Sequence, residues 1–300
     1  MKGENDNFNF DNCLKLNTRN ESIRILQLTD IHLRQYTKNT FFTSRKILKM
    51  IRREKPDLIV VTGDFTALED NLRDTKWLVK TLDKTKRQWT VVFGNHDSQG
   101  RYDRNYIAGV IEESQYSLFE KGPENIKGVG NFVINLMSDN KFWGSLFFID
   151  THTSFVKDGL EYEPIDKTQI DCYERTVKNI SAQFAENEDF PSLMFIHIPL
   201  PEFQNAWEEG KLIFGVMGED KVYAPDENTG MFDKILELNS TKGVFAGHDH
   251  KNTFCCKYRG VILGYGTQTM FNKTAQEGKY GSSLIEMNKF GNITLSQIKY

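Results

Sequence analysis

The chain of 300 residues carries 38 basic and 41 acidic side chains, so its formal net charge is −3 and it lacks the overall positive excess of a typical nucleic-acid-binding protein. A hydrophobic content of 39% excludes a disordered chain. No apolar run approaches the roughly 20 residues that a spanning helix needs, so we expect a soluble, globular protein with no membrane span and no obvious nucleic-acid partner.

The first half of the chain alternates apolar runs with amphipathic segments. Residues 1–21 are polar and rich in Asn and Asp, and we interpret them as a loosely held lead-in. Beyond them the hydrophobic pattern predicts, in order, a strand at 23–29, a helix at 41–54, a strand at 58–61, a helix at 71–84 and a strand at 89–93. This β-α-β-α-β order predicts parallel strands joined by right-handed crossovers.

The second half changes character, because short connections marked by glycine replace most of the helices. The pattern predicts paired strands at 131–137 and 143–149, helices at 167–187 and 229–239, and further strands at 192–196, 243–246, 252–257, 260–264, 282–287 and 292–299. The short connections favour antiparallel pairing for the strands after residue 240. No internal repeat or flexible linker is visible, so we expect one continuous α/β domain with two packed sheets.

Cysteine usage and targeting signals bear on the compartment. The four cysteines lack a CxxC spacing, so neither a disulfide scaffold nor a Cys-based zinc site is expected. No signal-peptide segment is visible, which favours an intracellular location. Five Asn-x-Ser/Thr sequons leave the secretory pathway open, and the oligomeric state is not predicted. The sequons are at Asn20, Asn179, Asn239, Asn272 and Asn292.

Polar side chains follow the apolar runs at five places, each of which is the predicted end of a strand. Ligands in open α/β sheets bind beyond the carboxyl ends of the strands, so we expect these side chains to face one crevice. An Asp-x-His or His-x-His pair directs both side chains to the same face, because alternate residues of an extended chain share a face. The residues concerned are Asp30, His32, Asp64, Asn95, His96, Asp97, His197, His248 and His250.

These residue types point to a metal site. Imidazole and carboxylate ligands together suit Zn, Mn, Fe and similar divalent ions. The ligand count exceeds the needs of one ion and a central carboxylate can bridge two, which favours a two-metal hydrolytic site. Taken singly, each motif is compatible with an ordinary turn, and His197 with a buried core histidine. The occurrence of all five motifs at strand ends favours the metal site.

At these residues the chain resembles the calcineurin-like metallophosphoesterases, and the closest branch is that of the purple-acid-phosphatase-29/Dcr2-type phosphatases. The resemblance runs from Asp30 to His250 and continues more weakly to the C-terminus. It implies a β-sandwich of two mixed sheets flanked by helices in αββα layers, with a single catalytic domain over residues 22–300. The stretches that carry it are ILQLTDIH, KPDLIVVTGD, GNHD, GNFVINL, FIHIPLPEF and VFAGHDHKNTFC.

The resemblance also implies roles for individual residues. His96 would face the substrate, stabilise the phosphoryl oxygens and protonate the leaving group, and Asp97 would orient His96. True purple acid phosphatases have a tyrosine three residues after the bridging aspartate, where this chain has Ala67, so an ordinary pair of divalent ions (Mn, Fe, Zn or Mg) is expected. The implied metal ligands are Asp30, His32 and His250 for the first ion, Asn95, His197 and His248 for the second, and Asp64 between the two.

The activity implied is that of a phosphomonoesterase, in which a metal-held hydroxide attacks phosphorus in line. A phosphodiesterase acting on cyclic nucleotides or lipid head groups would use the same site, and a non-catalytic scaffold is a third reading. Residues 98–128 and 198–230 are the two insertions that could set specificity or form a lid. Within the first insertion, Arg101 and Arg104 could grip a phosphate. His152, outside both insertions, could reach the rim of the crevice.

Overall fold

The computed structural model describes residues 13–34, 37–67, 70–156, 160–185, 189–271 and 280–299, so residues 1–12 and the sequon at Asn272 lie outside the described residues. In chain order the strands are β1 (Leu14–Asn17), β2 (Ser22–Leu28), β3 (Leu58–Thr62), β4 (Gln88–Val92), β5 (Phe132–Ser138), β6 (Lys141–Phe148), β7 (Ser154–Val156), β8 (Leu160–Tyr162), β9 (Ser192–Phe195), β10 (Lys211–Phe214), β11 (Thr241–Ala246), β12 (Cys255–Tyr258), β13 (Val261–Tyr265), β14 (Gly281–Asn288) and β15 (Ile293–Lys299). The helices are α1 (Lys38–Glu54), α2 (Asn71–Asp83), α3 (Arg104–Glu112), α4 (Lys167–Phe184), α5 (Glu202–Glu209) and α6 (Met231–Leu238). Each helix in the described ranges is too short or too polar to cross a lipid bilayer.

Two mixed sheets form the centre of the molecule. The five-stranded sheet has the order β15-β14-β2-β3-β4, in which β2, β3 and β4 are parallel and β14 and β15 add an antiparallel edge. The eight-stranded sheet has the order β1-β5-β6-β9-β11-β13-β12-β10, in which β6, β9, β11 and β13 run parallel. A separate hairpin pairs β7 with β8. The predicted β-sandwich of two mixed sheets is confirmed.

Helices cover the outer face of each sheet. Side chains of α1, α2 and α3 share one core with the five-stranded sheet and the facing side of the eight-stranded sheet. A second core joins the other side of the eight-stranded sheet to α4, α5 and α6. Between the sheets the Phe148 ring stacks on Phe132 and Phe195, at centroid distances of 4.6 and 5.4 Å. The layers therefore follow the expected αββα order.

Local sequence explains how the main elements begin and end. Both faces of β3 are buried, which is why its sequence is a continuous apolar run. Helix α1 is capped by Lys55, whose backbone is in the left-handed conformation. The next residue is Pro56, which cannot continue a helix. Helix α4 begins with a capping box, in which Asp166 accepts from the backbone and the Gln169 side chain accepts from the Asp166 backbone N–H.

The structure differs from the sequence-based expectation in several respects. The short strands β1, β7, β8 and β10 and the helices α3 and α5 are absent from the prediction. β11 pairs in parallel with both β9 and β13, because a crossover through α6 precedes it and β12 lies beyond β13, whereas β12 with β13 and β14 with β15 form the expected antiparallel hairpins. Residues 14–17 of the predicted lead-in form the edge strand β1, parallel to β5. An alternation as short as Leu14 and Leu16 is too weak a signal to identify a strand.

The strand β1 is expected to contribute to stability, because Leu16 is 6% exposed and belongs to the inter-sheet core. We predict that Leu16→Ala lowers the free energy of unfolding by about 2–3 kcal/mol, through lost burial and a partly retained cavity. Urea denaturation measures this difference. Phe290→Ala, at a side chain that is 76% exposed, is the control and should stay within about 0.5 kcal/mol of the parent. If Leu16→Ala left the free energy of unfolding unchanged, residues 14–17 would be loosely held, as the sequence alone predicts.

Candidate metal centre

The parallel strands of both sheets end at the same edge of the sandwich, and the loops that follow them converge there. The pairing of β2 with β3 continues into these loops, since the backbone N–H of His32 donates to the Asp64 carbonyl at 2.9 Å. In the other sheet the Gly247 N–H donates to the His197 carbonyl at 3.0 Å. The sheets themselves therefore direct the side chains of these loops.

The structure brings the predicted aspartate and histidine ligands together in two overlapping groups. In each group, one ligand atom from every residue lies within 4.8 Å of the others. The carboxylate of Asp64 belongs to both, so two ions could share it. The first group is Asp30, His32, Asp64 and His250, and the second is Asp64, His197 and His248.

In the first group, ring nitrogens and carboxylate oxygens point at a common space. The Nε2 atoms of His32 and His250 are 3.0 Å apart. Asp30 Oδ1 is 3.4 Å from His250 Nε2, and Asp64 Oδ2 is 3.7 Å from His32 Nε2. These four side chains could surround one ion.

In the second group, the orientation of His197 is fixed from behind. Its Nδ1 lies 2.8 Å from the Thr62 carbonyl, to which it can only donate, so Nε2 faces the centre. There Nε2 is 3.3 Å from Asp64 Oδ1 and 3.1 Å from the side-chain oxygen of Asn95. The His248 ring packs edge-on against His197 at 5.2 Å. The predicted amide ligand Asn95 thus lies beside this group.

Charge is distributed unevenly over the cluster. Burial opposes ionisation of Asp64, but the His197, His32 and His96 rings together hold the pKa of Asp64 well below its usual range. Burial also opposes the charge on His197, yet Asp64 raises the pKa of that imidazole to about 9. For His32 and His248 burial dominates and lowers the pKa to about 4 and about 3. These two rings are neutral near pH 7, which is the form that binds metals.

The residues present fit a pair of divalent cations. Asp30 Oδ1 is buried and accepts no hydrogen bond from the described part of the chain, although a buried carboxylate oxygen ordinarily has a donor. Two imidazole nitrogens as close as those of His32 and His250 cannot face each other without a proton or a cation between them. Mixed imidazole and carboxylate donors suit Mn, Fe or Zn. Ala67 is buried and offers no phenolate for Fe(III).

The backbone at the centre is held in an uncommon conformation. Asp30, His32, Asp64 and His248 have φ values of 51°, 43°, 50° and 77°, in the left-handed region that Asp, Asn and His enter more readily than other side chains. The glycine at position 94 provides clearance, because a Cβ atom there would collide with the Asp64 carboxylate. The residue types at these four positions are therefore suited to the sharp changes in backbone direction found there.

The histidine of the GNHD segment lies at the mouth of the cluster. The His96 side chain is 42% exposed, and its Nε2 is 3.9 Å from Asp64 Oδ2. Its Nδ1 is 2.7 Å from Gln99 Oε1, and its backbone N–H donates to Asp64 Oδ1 at 2.9 Å. The ring packs edge-on against His32 at 5.3 Å. This location is open to an incoming ligand.

The expected contact between Asp97 and His96 is not what the structure contains. The buried Asp97 carboxylate accepts from the backbone N–H groups of Asp64 and Gly94 and from the backbone N–H and hydroxyl of Thr66, at 2.8–3.1 Å. These four donors occupy both oxygens, so the carboxylate braces the loop that carries Asp64 and is not directed at the His96 ring. Burial, and then the charge of Asp64, raise the pKa of Asp97 to about 7.

The contacts of Arg104 do not support the suggested phosphate grip. Its guanidinium forms a two-oxygen ion pair with the buried Asp150 at 2.6 and 2.8 Å, and donates to the carbonyls of Gly94 and His152. The cation is therefore committed to joining α3 to the ends of β4 and β6. Arg101, in contrast, is exposed.

His152 does not reach the rim of the crevice, and Phe203 of the second insertion also belongs to the interior. His152 is 5% exposed, and its Nε2 contacts Gln169 Oε1 at 2.8 Å, so the ring is held away from the crevice. In the second insertion, Phe203 is fully buried against Tyr265, with ring centroids 5.1 Å apart. Both side chains stabilise the packing around α4 and α5.

Sequence reasoning missed the residues that brace the last loop. Asp249 accepts from the Tyr265 hydroxyl at 2.6 Å, from Asn252 at 3.1 Å and from the Tyr223 backbone at 3.2 Å. Its position between two histidines is the only sequence signal. Tyr162 was missed as well: its ring lies edge-on to His248 at 4.7 Å, and nothing in the sequence around β8 indicates this contact.

The family model for calcineurin-like phosphoesterases matches residues 23–252. Among curated proteins, probable inactive purple acid phosphatase 29 of Arabidopsis thaliana is 27% identical over 90% of this chain and 78% of its own length. Probable inactive purple acid phosphatase 14 of Arabidopsis thaliana is 30% identical over 79% of this chain and 64% of its own length. Phosphatase DCR2 of Saccharomyces cerevisiae is 29% identical over 78% of this chain and 45% of its own length. The chain thus spans under two thirds of two of these relatives.

Solved structures share the fold at low sequence identity. A dimetal phosphatase from Danio rerio superposes with a TM-score of 0.63 at 11% identity, over 92% of this chain and 96% of that one. GAP50, described as the anchor in the inner membrane complex of Plasmodium, superposes with a TM-score of 0.53 at 11% identity. The superposition covers 93% of this chain and 84% of that one. These similarities establish the metallophosphoesterase fold.

The ion pair of Arg104 gives a prediction about stability. Arg104→Ala would leave the buried Asp150 charge without its partner, and we expect the free energy of unfolding to fall by about 3–5 kcal/mol. Urea denaturation measures the change, and Arg101→Ala, at an exposed side chain of the same loop, is the matched control. A weaker affinity for phosphate at unchanged stability would instead support the phosphate grip.

Proposed function

This chain belongs to the calcineurin-like phosphoesterase family, and we propose that it is a phosphomonoesterase with a dinuclear centre of divalent ions. Its single catalytic domain would extend over residues 22–300, together with the edge strand β1. The observation that carries the proposal is the Asp64 carboxylate, which lies within ligand distance of both groups of side chains. A shared carboxylate is the feature that distinguishes a two-ion site from two unrelated polar clusters.

The proposed first ion would be held by Asp30, His32 and His250, and the second by Asn95, His197 and His248, with Asp64 between them. When bound, the two ions supply Lewis acidity, which makes water a nucleophile near neutral pH and offsets charge on the phosphoryl oxygens. Their identity among Mn, Fe, Zn and Mg is left to experiment.

The residues of the chain have separate tasks in this proposal. The Thr62 carbonyl keeps a proton on His197 Nδ1, so that Nε2 would be the nitrogen that gives up its proton to face the ion. His96, exposed at the mouth, would donate to a phosphoryl oxygen and protonate the leaving group. Its Nδ1 contact with Gln99 would hold the ring in place. Asp97 would keep the Asp64 loop in position through the backbone donors that it accepts.

A scaffold without catalysis is the second candidate. Two Arabidopsis relatives carry the word inactive in their names, and the Plasmodium protein of the same fold is described as an anchor. Against this reading, each proposed ligand is present in this chain, and six of the seven lie within the two groups described above. A phosphodiesterase remains the alternative within the enzyme class, because both activities use the same ion pair.

One panel of assays separates these three functions. We predict that metal-stripped protein regains turnover with at least one of Mn, Fe, Zn and Mg, and that 4-nitrophenyl phosphate is hydrolysed at least about tenfold faster than bis(4-nitrophenyl) phosphate. That ratio corresponds to about 1.4 kcal/mol in the barrier. The reason is that a dianionic monoester matches the charge of two cations better than a diester does.

Each other outcome has a definite meaning. Faster hydrolysis of the diester would make the protein a phosphodiesterase. Binding of two ions without turnover of either ester would favour the scaffold. Activity that survives exhaustive chelation would contradict the metal-dependent mechanism.

Substitutions at two residues test the division of labour. We predict that Asp64→Asn abolishes turnover and reduces the metal content of both sites, since the shared ligand is lost. His96→Ala should retain both ions and lower the rate by about 100-fold or more, as expected for loss of a general acid. Mass spectrometry of bound metal, together with ester turnover, measures both effects.

A matched control is available for the aspartate. Asp139 is exposed in a turn and has the same φ of 50° as Asp64, so Asp139→Asn reproduces the chemical change without touching the centre. Equal metal loss in Asp64→Asn and His96→Ala would contradict the roles proposed here.

A further inference from the structure

A short hairpin brings a tyrosine to the edge of the metal centre. Strands β7 and β8 pair in antiparallel fashion directly after the Asp150 loop, and Tyr162 is the last residue of β8. Its ring stands nearly perpendicular to the His248 ring, at 88° and a centroid distance of 4.7 Å. This contact fixes the ring beside the second group of proposed ligands.

The hydroxyl of this tyrosine differs from those of its neighbours. The Tyr223 hydroxyl donates to Asp220 at 2.8 Å, and the Tyr265 hydroxyl donates to Asp249 at 2.6 Å. Within the described ranges the Tyr162 hydroxyl makes no hydrogen bond with the protein, although the side chain is partly buried. A partly buried hydroxyl that has no partner in the described part of the chain is available to donate to a bound ligand.

The aromatic rings around the centre form two contacting series, one at each group of proposed ligands. At the first group, His96 contacts His32 at 5.3 Å. At the second group, Tyr162 contacts His248, which contacts His197 at 5.2 Å. His96 ends the first series and Tyr162 ends the second. A ligand that spans both groups would have one of these two side chains beside each group.

We propose that the Tyr162 hydroxyl donates a hydrogen bond to a phosphoryl oxygen of the bound substrate. The inference rests on the proposed function for the identity of the ligand, and it makes Tyr162 a substrate-binding residue beside the second group of proposed ligands. A hydrogen bond to a charged oxygen is stronger than one to a neutral group, so an unoccupied donor at this place would add affinity and orientation. The ring keeps the hydroxyl in place through its contact with His248.

The test compares two variants of the full chain loaded with Mn²⁺, using inorganic phosphate as the probe. Tyr162→Phe removes the hydroxyl alone and keeps the ring on His248. Tyr162→Ala removes both. We expect Tyr162→Phe to bind phosphate about tenfold more weakly by titration calorimetry, with unchanged metal content and unchanged thermal stability. Tyr106→Phe, at a tyrosine that is 52% exposed, is the control and should behave as the parent.

The outcomes separate this inference from the proposed function. Parent-like phosphate affinity in Tyr162→Phe, combined with metal loss in Tyr162→Ala, would overturn the inference and leave the ring as packing for His248. Absence of phosphate binding by the parent protein would overturn it too. A tenfold difference in phosphate affinity, in a protein that hydrolyses neither test ester, would support the inference while the proposed activity fails.

Discussion

The concentration of ionisable groups in the cleft between the sheets is the constraint on which the rest of the structure depends. Asp30 and Asp64 are buried, and the histidine rings beside them, His250 at Asp30 and His197 at Asp64, keep the pKa of each carboxylate low. Burying two carboxylates costs free energy unless opposite charge compensates them. Divalent ions would supply that compensation, and the loops at the strand ends are shaped to present oxygens and ring nitrogens to them. The proposed chemistry follows from this local need for positive charge.

The centre also depends on the relative placement of the two sheets. Asp30, Asp64 and Asn95 follow strands of the five-stranded sheet, whereas His197 and His248 follow strands of the eight-stranded sheet. The apolar core shared by the two sheets therefore holds the two sets of ligands together. A donor from one sheet reaches an acceptor from the other directly, since His197 contacts the Thr62 carbonyl. The packing of the core therefore also determines the geometry of the site.

The two-sheet architecture, the convergence of the motif residues and most of the longer strands and helices could be predicted from the sequence, because buried runs and strand-end polar residues leave strong local signals. The parallel pairing of β11 could not, since the length of a connection does not reveal which strand lies beyond it. The hydrogen-bond partners of Asp97 and Arg104 could not be predicted either. A carboxylate or guanidinium near a site has the same sequence signal whether it faces substrate or stabilises a loop. Tyr162 left no signal at all.

The left-handed backbone at four of the proposed ligands affects how decayed copies of such a site should be recognised. At Asp30, His32, Asp64 and His248 this backbone conformation favours Asp, Asn, His or Gly over other residues. A lineage that lost its ions but kept the fold would therefore tend to retain residues of these types there. Asn95 has an ordinary φ of −66°, so drift at that position is unrestrained by geometry and reports more faithfully on whether the chemistry is still under selection.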